Sequence, residues 1–176
     1  MKFLLNGDFN NNRLLKIILV FTLIYVAILW VTNLLLYIEN IGFTYTSVVK
    51  YYLGAEEEFK NPVSFRGLLE VTHFHLFAFA MVLLLMNHLT VFTGLSQLIK
   101  LSLIIISFLS GLGDIGAGWL IRFVSPSFAY IKIGSFIVFQ VTFLLLIFFS
   151  FFALRIYNKG RENGRSEIVE GGNRKY

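Results

Sequence analysis

The chain alternates between long apolar runs and short polar breaks. Four of the runs are long enough to cross a bilayer as helices, which takes about 20 mostly apolar residues. They cover approximately residues 14–37, 67–93, 99–123 and 128–157. Arg13 and Lys16 mark the start of the first, and Glu39, Asn40 and Gly42 follow its end. This run is too long for a signal-peptide core and no small-residue cleavage motif follows it, so a retained first span is expected. Pro62 precedes the second span and Gly94 ends it. Ser125-Pro126-Ser127 separates the third from the fourth, because Pro126 cannot continue a helix. Lys132, near the start of the fourth run, is expected to snorkel to the headgroups. Residues 158–176 (NKGRENGRSEIVEGGNRKY) are polar and rich in glycine and charge, which predicts a disordered tail.

Short connections between spans two and three and between three and four make neighbouring helices antiparallel. The expected fold is therefore all-α: a membrane-embedded up-down-up-down four-helix bundle formed by residues 1–157. The loop between spans one and two is long. Within it Val48, Val49, Tyr52 and Leu53 recur at helical spacing, which predicts a short interfacial helix.

Composition agrees with the pattern. The 176 residues are 57% hydrophobic and only 14% charged, with a mean hydropathy of +0.75. A water-soluble domain of this size has too little interior to hide so much apolar surface. The absence of cysteine excludes disulfides, thiolate metal sites, iron–sulfur clusters and cysteine nucleophiles. The net charge of +5 comes from residues flanking the spans, so nucleic acid is not an expected partner. Lys2, Arg13 and Lys16 lie on the same side as Arg155, Lys159, Arg161 and Arg165, while the long loop carries Glu56, Glu57 and Glu58. The positive-inside rule then places both termini in the cytoplasm of a bacterial inner membrane and the loop outside; Arg122 runs against this assignment.

Hydrogen-bonding and ionisable side chains within spans are costly and are functional candidates. Span two carries Glu70, His73, His75 and His88; span three carries Asp114; Asn33 and Gln140 lie in spans one and four. Counting ~1.5 Å per residue from the loop-facing ends puts His75 and Asp114 at the same depth, about 12 Å in, with Asn33, Gln140, Glu70 and His73 nearby. His73 and His75 point in nearly opposite directions, so only one can face the bundle. His73, His75 and Asp114 are the candidate cofactor contacts. Glu70, His73 and Asp114 are the candidate metal ligands, Glu70 and His73 having the i, i+3 spacing of a carboxylate–histidine pair. Haem b is a further candidate, although all three histidines sit on one span and a bis-histidine site needs two helices. The structural alternative is that these groups pair helices through hydrogen bonds. Gly111, Gly113, Gly116 and Gly118 surround Asp114, and glycines there suit close helix packing.

LLEVTHFHLF at residues 68–77 and GDIGAGWLIRFVSPSFAYIK at residues 113–132 resemble segments of a group of small four-span bacterial inner-membrane proteins. The likeness extends over about residues 14–157. It implies the bundle and gives weight to His73, His75 and Asp114, but implies no reaction. The sequence is thus read as a small multi-pass protein, more in keeping with an accessory subunit of a respiratory or other energy-transducing membrane complex than with an enzyme. Expected partners are the lipid bilayer and other membrane subunits or further copies of the chain. A haem- or metal-binding redox protein and a proton-linked transporter are the alternatives.

Overall fold

The computed structural model describes the backbone of residues 13–172, and the side chains of residue 14 and residues 16–152. Helices α1 (Arg13–Asn40), α2 (Tyr45–Leu53), α3 (Phe65–Val91), α4 (Gln97–Phe123) and α5 (Ala129–Gly172) follow one another with short connections. Within the residues whose side chains are described, the membrane-length segments are Lys16–Asn40, Phe65–Val91, Gln97–Phe123 and Pro126–Phe152. No strand occurs among the described residues; one isolated bridge joins Ala55 and Lys60. Where polarity predicts a disordered tail, the α5 backbone continues as helix through residues 158–172. Residues 173–176 lie outside the described residues, as do the side chains of Lys2, Arg13, Arg155, Lys159, Arg161 and Arg165 on which the expected orientation rests.

The starts of α2, α3, α4 and the turn into α5 have local chemical causes. The Ser64 side chain accepts from Gly67 N at 3.0 Å, and Ser96 accepts from Ile99 N, so both hydroxyls satisfy amides that a helix leaves unpaired at its first turn. Thr44 and Ser47 form a reciprocal capping box that starts α2. Pro126 sits in the first turn of the short 3-10 segment leading into α5, where its missing amide costs nothing. Gly54 ends α2 at φ +82°, and a Cβ there would lie 2.4 Å from the Lys60 carbonyl oxygen, so only glycine fits.

The bundle buries two apolar clusters. One joins Leu23 and Val26 of α1, Leu83 and Met86 of α3, Leu103 of α4, and Phe139, Phe143 and Leu146 of α5. The other lies at the α2 end, where Val48 and Tyr52 pack on Leu68, Ile121 and Ala129. Most other large apolar side chains are exposed, as a lipid solvent allows. The pairing of α4 with α5 is the most extensive, α3 lies against both, and α1 lies chiefly against α5. Hydrogen bonds across helices fix the register: Asn87 donates to Ser107 Oγ at 3.1 Å, Trp119 to Thr72 Oγ1 at 2.8 Å, and Trp30 to the Gln140 carbonyl at 3.0 Å. The loop after α2 is fastened at both sides, since Val63 N donates to the Tyr52 carbonyl and Arg122 Nε donates to that of Val63 at 2.9 Å. Arg122, the residue that runs against the charge rule, thus has a local structural task.

Candidate functional site

Lys132 does not snorkel. Its side chain is 7% exposed, and its ammonium lies 2.7 Å from Asp114 Oδ1 and donates to the Asp114 backbone carbonyl at 3.0 Å. The cause is register. Asp114 is nine residues before the end of α4, and Lys132 enters α5 just beyond the Pro126 turn, so the antiparallel pair brings both to one level. Two unpaired charges in hydrocarbon would each cost several kcal/mol, and mutual pairing offsets much of that.

The pair forms part of the wall of a cavity of about 210 Å³ at the α2 end of the bundle. α1 supplies Asn33 and Tyr37, α2 supplies Tyr51 and Tyr52, and α3 supplies Thr72 and His75. His75 Nδ1 lies 2.8 Å from the Val71 carbonyl, and since a carbonyl only accepts, Nδ1 is the donor; in the neutral ring this leaves Nε2 as an acceptor. The buried Tyr37 hydroxyl has no hydrogen-bond partner, and its ring stacks on Phe136 at a centroid distance of 3.5 Å. Tyr52 is held well above the ordinary phenol range, first by burial and then by the negative charge of Asp114. Its phenol therefore stays protonated and available as a donor. The assembly can hold and orient a hydrogen-bonding group; its formal charges cancel.

The structure gathers Asn33, His75 and Asp114 around one cavity, together with Lys132, Tyr37 and Tyr52. It separates the others. His73 and His88 are exposed on the outward side of α3, and Glu70 is exposed and paired with Arg66 at 2.9 Å. Glu70, His73 and Asp114 therefore do not converge, and among the described residues no three His, Asp or Glu side chains are placed to share a metal ion. Gln140 is buried with neither amide atom hydrogen-bonded. Three of the four glycines lie at close approaches: a Cβ on Gly111 would meet Phe79 and Phe139 at 3.2 and 3.3 Å, on Gly113 the Ser135 hydroxyl at 2.8 Å, and on Gly118 the Tyr52 hydroxyl at 2.9 Å. Gly116 has no such neighbour within 4 Å. The missed members had weak signals. A lysine near a span end looks like an interfacial anchor, and tyrosines there look like a headgroup belt.

A bundle of four apolar helices, each of membrane length, makes this a small multi-pass membrane protein. Residues 42–161 match the Aq_1264_TM family, a transmembrane helical domain, and the chain belongs to that family. No curated protein and no solved structure matches it.

Proposed function

We propose that the protein is a non-catalytic accessory subunit of a larger bacterial inner-membrane complex, of the respiratory or otherwise energy-transducing kind, with both termini in the cytoplasm. The observation that carries this is the outward stripe of α3. At 100° per residue Arg66, Glu70, His73, Phe77, Leu84 and His88 fall within roughly 60° of one another. All six are exposed. His73 stands about 12 Å from the start of α3, at ~1.5 Å per residue, where acyl chains offer it no partner. A hydrogen-bonding group at that depth suits a neighbouring protein helix better than lipid.

A photo-reactive amino acid placed at Phe77 in native membranes tests the reading. The expected result is a discrete protein adduct at Phe77, diminished by His73→Leu, with no such adduct from Tyr25 on α1. Lipid adducts alone, or the same adducts from both positions, would overturn it. A dimer of this chain would replace the complex with a homo-oligomer.

A further inference from the structure

The polar cavity does not end at the protein surface. A second cavity of about 230 Å³ shares Asn33, Leu36 and His75 with it and is otherwise almost wholly apolar. An open groove lined by α1 continues from there, sharing Leu29, Thr32 and Val82. Together they form one seam between α1 and α3, floored by Phe139 and Phe143 of α5. From Tyr37 to Ile17 the seam follows about 30 Å of α1, at ~1.5 Å per residue, close to the thickness of the hydrocarbon core. One end is polar and ringed by aromatic side chains; the rest is apolar and open sideways to the bilayer.

We propose that this seam is a binding site for a lipid-soluble quinone, with the ring in the Asp114–Lys132 cavity and the chain lying between α1 and α3. The inference is independent of the partner reading above. Three features select the ligand. The head cavity carries one negative and one positive charge already paired at 2.7 Å, so a charged headgroup would leave a charge unpaired in a low dielectric. An uncharged head is favoured over a phosphate. The wall also carries both kinds of hydrogen-bonding group: the buried, unpartnered Tyr37 hydroxyl as donor and, in the neutral ring, His75 Nε2 as acceptor. A carbonyl or hydroxyl oxygen on the head can be met in either form. Finally, Tyr37, Phe136, Tyr51 and Tyr52 give the cavity flat aromatic walls that suit a ring better than a glycerol backbone.

The test uses the full chain in phosphatidylcholine nanodiscs, titrated with decyl-ubiquinone. Trp119 reports, because its indole is hydrogen-bonded to Thr72 in the cavity wall. Saturable quenching is expected. Ala78→Phe, which fills the apolar section of the seam, should weaken binding about tenfold or more. Tyr37→Phe, which removes one hydroxyl and keeps the stack on Phe136, should weaken it about fivefold. Leu109→Phe on the exposed side of α4 should leave it unchanged, and circular dichroism should show each variant folded. Quenching that rises only with the quinone content of the bilayer, or saturation unaltered by Ala78→Phe in folded protein, overturns the proposal. A stoichiometric phospholipid that decyl-ubiquinone does not displace overturns it as well.

Discussion

Asp114 and Lys132 hold the one arrangement in the described bundle where two formal charges are both nearly buried, with side chains 8% and 7% exposed. Removing one partner strands the other in the membrane interior, so Lys132→Met should destabilise the fold by about 3–5 kcal/mol. Replacing both, as Asp114→Leu with Lys132→Met, should recover most of that loss, because the desolvation cost disappears with the charges. Unfolding in mixed micelles, followed by circular dichroism, measures the four states of this cycle; additive effects would show that the pair is not coupled. Asp114 is legible in the sequence because a carboxylate inside an apolar run must find a partner there. Lys132 is not, because its flexible stem near a span end fits snorkelling equally well, and only the register of α4 against α5 decides. A second pair, Lys50 with Glu58, is exposed and behaves differently. Hydrogen bonding to Lys50 lowers the Glu58 carboxyl below its ordinary 4.5, and the same bond raises Lys50 above 10.5. The contribution is thus complete between those two values. It is lost in acid as pH falls through the lowered Glu58 value, and in alkali as pH rises through the raised Lys50 value. Amide exchange in the loop after α2 should be independent of pH near neutrality, once corrected for intrinsic rates, and should quicken below the ordinary carboxylate range. Glu58→Gln should quicken it at neutral pH and remove the acid step.

At the scale of elements, the glycines of α4 show how far a local pattern can be trusted. Close packing is the natural expectation for four glycines around Asp114, yet only the facing helices determine which ones are needed. Gly118 lies under the Tyr52 ring, so Gly118→Ala forces a methyl group against a buried aromatic at 2.9–3.1 Å. Undocking of α2 should follow, with a loss of about 1–3 kcal/mol. Gly116 faces no such neighbour, so Gly116→Ala should stabilise α4 by about 0.5–1 kcal/mol through the lower conformational entropy of alanine in the unfolded chain. Thermal unfolding of the two variants in one detergent checks both signs; a shared sign would show that α2 does not pack on α4 as described. The helices themselves are well read from sequence, because mostly apolar segments of 25 to 27 residues answer directly to bilayer thickness. Their facing is poorly read, since lipid is as apolar as a protein core and the exposed sides carry the same Leu, Ile and Phe as the buried ones.

In the whole molecule, the helices are not equally committed to the bundle. α4 and α5 form an extensive pair, while α1 lies chiefly on α5 and leaves a seam towards α3 over much of its length. Two specific contacts hold α1 in register: the Trp30 indole donates to the Gln140 carbonyl at 3.0 Å, and Tyr37 stacks on Phe136 with ring planes 13° apart. A helix held by few contacts is the part expected to move first, since local opening follows local packing. In lipid the seam gives α1 freedom to lean away from α3 without exposing backbone, because helical backbone hydrogen bonds are internal to the helix. Loosening should therefore be confined to α1. Trp30→Phe with Phe136→Ala should raise the mobility of spin labels on α1, placed at Ile24 and Leu35, several-fold more than that of a label at Leu109 on α4. Distances from α1 to α3 should broaden while those from α4 to α5 stay narrow. Equal broadening everywhere would mean that the four helices open as one cooperative unit and that the seam is not a line of weakness. Confined broadening would identify α1 as the mobile wall of the polar cavity, because it alone carries Asn33 and Tyr37 into that site.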